Sequence, residues 1–217
     1  MGGFGGGGGG GSLRQQALAL TLYSTLNLFL NFFNKWALGK SGAGFSFPVF
    51  YSMFHMLMSL VGSLVLMKVR PPPTGMPSLQ QFGVYKWEAL TLALCSTVNI
   101  TCNNASLMII GLFVNQVIKA LAPLLSMIFS RLILKKTYTP PLIASVIVIA
   151  IGAGMAVPFK DPSVTVLGVV LVSVATVASS TKPVVGELLI NFTDKPKLAP
   201  AALVFYDSCF SFVFMLM

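Results

Sequence analysis

Seven apolar stretches follow one another along this chain, at 15–37, 47–67, 88–110, 113–134, 141–158, 164–185 and 199–217. Each is about as long as a bilayer is thick. Nothing else in the sequence constrains the fold as much. Hydrocarbon offers a backbone no hydrogen-bond partner, so a chain of such stretches crosses it as helices that satisfy their own N–H and C=O groups. Glycine and proline punctuate the series. Gly39 to Gly44 separates the first two stretches, and Arg70-Pro-Pro-Pro-Thr-Gly-Met-Pro77 the second and third. Gly111 marks a very short turn before the fourth. Thr139-Pro-Pro141 opens the fifth, Pro158 to Pro162 closes it, and Thr193 to Pro200 is the last loop. Asn103 and Asn104 lie inside what must be one long third helix, which leaves the boundary between the third and fourth stretches the least sharply marked.

Composition agrees. Of 217 residues, 55% are hydrophobic and 9% charged, where a soluble domain carries roughly a quarter charged residues. The mean hydropathy is +0.85. A soluble fold of this size cannot hide so much apolar surface, so the expected class is an all-α, polytopic membrane protein whose first partner is the lipid bilayer. The net charge of +9 does not indicate nucleic acid, because the basic residues form no run longer than Lys135-Lys136 and sit singly beside apolar segments. Cys95, Cys102 and Cys209 all fall in apolar segments and read as small buried hydrophobes. Residues 1–12, MGGFGGGGGGGS, are expected to be a disordered cytosolic tail, and 13–217 the transmembrane domain. The tail is not an Arg/Ser-rich transit peptide and does not look like a secretory signal. Gly6 stands where a myristoylation motif wants Ser or Thr.

Basic residues set the orientation. With the N-terminus in the cytosol, Arg14, Lys68, Arg70, Lys86, Lys135, Lys136, Lys195 and Lys197 fall on the cytosolic side, against Lys40 and Lys160 on the far side. This asymmetry favours a cytosolic N-terminus. Seven spans then end on the far side, where the chain stops at the wholly apolar FSFVFMLM. A fragment lacking further helices is expected, the alternative being a short extracytosolic tail.

Polar residues inside the spans carry the functional signal. Asn27, Asn31 and Asn34 form one stripe on the first helix, with Lys35 beside it. Ser96, Asn99, Asn103 and Ser106 repeat the pattern on the third, and Asn115 and Lys119 on the fourth. Such residues either glue helices together or line a shared polar cavity. Three stripes, one ending on an amine, point to a cavity. Lys119 lies too deep for costless snorkelling, and Pro123 brings no N–H to its carbonyl. A kink is expected there, with a fixed positive charge suited to an anionic ligand such as a phosphate. A pairing of Lys119 with a membrane carboxylate such as Asp207 is the alternative. The sequons at Asn99, Asn104 and Asn191 fall in a helix or on the cytosolic side and are discounted.

The stretch NASLMIIGLFVNQVIKALAPLLSMIFSRLIL, Asn104 to Leu134, resembles the signature region of the triose-phosphate/nucleotide-sugar transporters of the drug/metabolite transporter superfamily. Asn104, Ser106, Leu107, Gln116, Lys119, Ala120, Pro123 and Ser130-Arg131 carry the likeness. FFNKWAL at the end of the first helix and FPVFYSMFHM at the start of the second are similar in style. The resemblance implies about ten helices in two inverted five-helix repeats around a midplane site, the second repeat being incomplete here. It implies an antiporter that exchanges a nucleotide sugar or phosphorylated sugar for a nucleotide monophosphate or phosphate. The organelle would be the Golgi or endoplasmic reticulum, with the plastid inner envelope as the alternative. The sugar-phosphate branch binds phosphate through a lysine that Lys119 matches. It also uses a threonine and a histidine on its third helix. Their places here are Asn103 and Ile100, a departure that tells against a triose-phosphate specificity. LVFYDSCFSF resembles the Phe-Tyr-Asn-Asn segment of GDP-sugar transporters, with Asp207-Ser208 in place of Asn-Asn. Asp207 would then read a guanine edge or neutralise Lys119 or Lys35.

The expected solute-binding set is Asn31, Asn34, Lys35, Asn99, Asn103, Asn115, Lys119, Tyr206 and Asp207. No cofactor, metal or enzymatic chemistry is expected, because no His/Cys/carboxylate cluster is present. His55, in the second helix, reads as a helix–helix hydrogen-bond partner. A homodimer is compatible with this reading. The rival assignments are a seven-helix receptor, which lacks its usual triplet and Asn-Pro-x-x-Tyr motifs here, and a non-transporting truncated paralogue.

Overall fold

The computed structural model describes residues 13–39, 41–72, 76–77, 79–156, 164–191 and 199–217. The glycine-rich tail and Lys40, Lys160, Lys195 and Lys197 of the orientation argument lie outside these residues. Eight helices follow in order: α1 (Leu13–Leu38), α2 (Pro48–Val69), α3 (Leu79–Ile109), α4 (Leu112–Lys119), α5 (Ala122–Ile133), α6 (Pro140–Ala156), α7 (Val166–Asn191) and α8 (Pro200–Leu216). Prolines stand at the first turns of α2, α5 and α8, where their missing N–H costs nothing and their fixed φ starts a helix.

Pro48–Val69, Phe82–Ile109, Leu112–Ile133 and Val166–Leu188 are long and apolar enough to cross a membrane. α6 and α8 are apolar but shorter, at 17 residues each. α1 has 26 residues, and its three asparagines dilute an otherwise apolar run. The chain is an all-α, polytopic membrane protein.

Three elements differ from the sequence reading. α3 begins at Leu79 rather than 88, because the helix runs on through the charged residues Lys86 and Glu88, where an apolar stretch stops. At about 1.5 Å per residue its 31 residues reach roughly 46 Å, longer than the ~30 Å apolar layer. α7 continues to Asn191 past Pro183, which it holds inside the helix. The fourth stretch is two helices, α4 and α5, broken at Ala120 and Leu121. Around the break the ladder shortens to three-residue steps: Leu121 N donates to Ile118 O at 3.1 Å and Leu124 N to Leu121 O at 3.1 Å. The break is the expected kink, one residue beyond Lys119.

α3 is the central element, packing most extensively on α7 and also on α8, α2 and α1. Several of its buried positions are small, among them Ala89, Ala93 and Ser96, and α7 buries Ala175, Thr176 and Ser180. Small residues let helices approach closely where lipid supplies no hydrophobic drive. Gly168 sets the tightest approach. A Cβ there would lie 2.3 Å from Ile110 Cγ2, so only glycine lets α7 pass the α3–α4 corner. Beneath the corner Ile110, Val114 and Val172 form a buried cluster. A second cluster joins α2, α3 and α8 through Met67, Tyr85, Ala89, Ala202 and Tyr206, with Phe82 stacked on Phe210 at 4.6 Å between centroids.

Candidate functional site

Lys119 ends α4, the eight-residue helix that follows the sharp α3–α4 corner at Ile110 and Gly111. An ammonium there complements the negative end of the helix. The short helix and the break after it keep this amine against α3 rather than leaving it on a continuous lipid-facing rod. Lys119 Nζ donates to Asn103 Oδ1 of α3 at 3.1 Å. Asn115, one turn earlier on α4 and fully buried, donates to the same oxygen at 3.2 Å and to Ser106 Oγ at 2.7 Å. Gln116 donates in turn to Asn115 Oδ1 at 3.3 Å. Asn103 Oδ1 therefore joins Asn115 and Lys119 of α4 to α3.

Lys119 and Asn103 face a cavity of about 140 Å³ between α1, α2, α3 and α4. α1 contributes Asn27, Leu30, Asn31 and Asn34, and α3 adds Asn99, Ile100 and Asn104. The α1 stripe thus turns inward: Asn31 and Asn34 are buried, with Asn27 at the exposed edge. Asn31 Nδ2 donates to the Asn27 carbonyl at 2.8 Å and to its Oδ1 at 3.2 Å. α2 supplies Tyr51 and His55. Tyr51 OH donates to Asn34 Oδ1 at 2.7 Å, and Asn104 Nδ2 donates to Ser52 Oγ at 2.9 Å. The wall is mostly asparagine amides, with one phenol, one imidazole, two aliphatic side chains and one ammonium. Lys119 pairs with no carboxylate among the described residues.

The structure brings together Asn31, Asn34, Asn99, Asn103 and Lys119 of the expected set, with Asn115 packed behind them. It does not bring in Lys35, Tyr206 or Asp207. Lys35 Nζ donates to the Leu107 and Ile110 carbonyls at 2.6 and 2.8 Å. These are carbonyls of the last turn of α3 and the residue after it, which a helix leaves without internal partners and at its negative pole. Lys35 is a cap that ties α1 to the α3–α4 corner. Tyr206 packs in the apolar α2–α3–α8 cluster. Asp207, 5% exposed, accepts from Lys182 Nζ at 2.7 Å and from Ser211 Oγ at 3.5 Å. Neither Lys119 nor Lys35 is its counter-ion, because α7 and α8 both pack on α3 and Lys182 reaches across from α7 to it. The pair lines a separate cavity of about 450 Å³ with Tyr23, Ser179 and Pro183. A second ion pair, Lys136 with Glu187, joins the end of α5 to α7.

Sequence reasoning passed over Tyr51 and His55 as lining residues, and Lys182 as a partner. The signal for the first two was their spacing of four on α2, which puts both on one face.

No solved structure gives a significant match to the chain. Two curated relatives do, both described as probable sugar phosphate/phosphate translocators of Arabidopsis thaliana. One is 29% identical over 209 residues, covering 92% of this chain and 62% of its own length. The other is 27% identical over 165 residues, covering 75% of this chain and 44% of its own length. The chain thus spans about half the length of these relatives. The sequence profile of the Triose-phosphate Transporter family matches residues 14–217, nearly the whole chain and every residue of the cavity, and the chain belongs to that family.

Proposed function

We propose that this chain builds the phosphate-reading part of a transporter that moves a small phosphorylated sugar across an organelle membrane. The observation that carries the proposal is Lys119, an ammonium paired with no carboxylate among the described residues, on the wall of a polar cavity inside the bundle. An ionisable group at membrane depth marks a site or a pathway. Here the counter-charge is left to a solute. The Arabidopsis relatives are described as probable sugar phosphate/phosphate translocators, which supports the same solute class. Asn31, Asn34, Asn99 and Asn103 supply neutral donors and acceptors around the ammonium.

The cavity measures about 140 Å³, near the ~150 Å³ that holds a benzene-sized molecule, which suits the phosphate end of a solute with a short carbon chain. Exchange against phosphate, a Golgi or endoplasmic reticulum membrane and a cytosolic N-terminus complete the proposal. The distribution of basic residues supports the last of these.

The test is binding and counterflow in liposomes preloaded with inorganic phosphate. Lys119→Met should insert and fold normally and weaken phosphate binding about 10- to 150-fold, the worth of one charge-assisted hydrogen bond. A Lys119→Met chain that binds and exchanges phosphate like the wild type would overturn the proposal.

A further inference from the structure

The cavity wall holds two kinds of polar side chain. Most are tied to protein partners: Asn31 to Asn27, Asn34 to Tyr51, Asn104 to Ser52, and Lys119 to Asn103. Two are not. His55 of α2 lines the cavity and hydrogen-bonds to none of the described residues. Asn99 of α3 lines it too, and its side-chain oxygen is buried without a partner among the described residues. A buried polar atom left unpaired, as the Asn99 oxygen is, is rare and costly; His55 is half-buried, with its ring at the cavity wall.

The chemistry of these two side chains differs from that of Lys119. A neutral imidazole and an amide each present one donor and one acceptor side, and a half-turn of the Asn99 amide exchanges its oxygen and nitrogen. A phosphate monoester offers almost only acceptors. A hydroxyl group, which donates and accepts at once, is the match for both. We infer that His55 and Asn99 form a hydroxyl-reading pole of the cavity, selecting a solute whose carbon skeleton carries free hydroxyl groups. This rests on the reading of Lys119 as the phosphate anchor. The solute then lies with its phosphate at α4 and its hydroxylated carbons between α2 and α3.

The test compares glycerol 3-phosphate with propyl phosphate, which share size and charge and differ by two hydroxyls, and uses inorganic phosphate as the reference. Affinities are measured on the full chain in lipid nanodiscs by competition with labelled phosphate. The wild type should prefer glycerol 3-phosphate. His55→Leu and Asn99→Leu should each reduce that preference about 2- to 12-fold, leaving propyl phosphate and inorganic phosphate bound as before. His55→Gln, which keeps a donor and an acceptor, should retain the preference. His55→Ala and Asn99→Ala repeat the measurement where leucine lowers thermal stability.

A wild type without the preference overturns the inference, as does a preference that survives both substitutions. So does a loss that falls equally on all three ligands, because His55 would then belong with Lys119 as part of the anion pole. Lys119→Met separates the two readings. It should weaken all three ligands alike, and its failure to do so counts against the phosphate anchor while the glycerol-to-propyl ratio still judges His55 and Asn99.

Discussion

Lys119 of α4 and Asn103 of α3 meet across sixteen residues of chain, 3.1 Å from ammonium to side-chain oxygen. That oxygen also accepts from Asn115, so one amide sets the position of the membrane-embedded charge. Asn103→Asp is nearly isosteric and should keep the helices in place, but it puts a carboxylate against Lys119 and cancels the charge. Phosphate affinity should fall on the order of 10- to 150-fold with little change in thermal stability. Asn103→Leu should do the opposite in part. It leaves two donors short of an acceptor and should cost about 1–3 kcal/mol of stability. Phosphate titration and thermal unfolding of both variants, side by side, check the pair of outcomes.

Lys35 should behave as a structural lysine. Its two carbonyl partners sit at the α3–α4 corner, so Lys35→Met should lower stability by about 1.5–3 kcal/mol. Phosphate affinity, measured where the variant is folded, should change less than in Lys119→Met. An equal loss of affinity in the two variants would put Lys35 in the site.

The Lys182–Asp207 pair joins α7 to α8 away from the Lys119 cavity. Asp207→Ala should destabilise by about 1–3 kcal/mol, less than breaking a fully buried pair because the Lys182 side chain is 38% exposed. Lys182→Met combined with Asp207→Leu should recover most of that loss. A double-mutant cycle by thermal unfolding gives the coupling, and phosphate affinity should stay near the wild-type value throughout.

Gly168→Ala tests the approach of α7 to the corner. The added Cβ meets Ile110 Cγ2 at 2.3 Å, so the helices must separate, at about 1–3 kcal/mol. Ile110→Ala removes the opposing branch and should make Gly168→Ala tolerable. A Gly168→Ala chain with unchanged melting temperature would mean that α7 does not pack there.

The amide stripes of α1 and α3 were legible because helical spacing alone puts Asn27, Asn31 and Asn34, or Asn99 and Asn103, on one face. The break near Lys119 was legible from Pro123, since a missing N–H is a local property. Partners were not. Lys35 adjoins the α1 stripe in sequence, yet one residue of rotation carries it to the α3 terminus. Asp207 had several lysines within reach of any sequence argument, and only the placing of α7 and α8 on α3 selects Lys182. Tyr51 and His55 stand among apolar residues, and two polar positions on one face are a weak signal.

An ammonium carries three N–H bonds. Lys35 directs two of its three at carbonyls, whereas Lys119 directs one at Asn103, so two N–H bonds of Lys119 have no partner among the described residues. Those two bonds diverge too widely for both to meet one phosphate squarely, so the ammonium acts on an anion as a point charge and not as a fork. The corner between α3 and α4 thus supplies attraction for a negative solute, and telling one such solute from another falls to the amides around it.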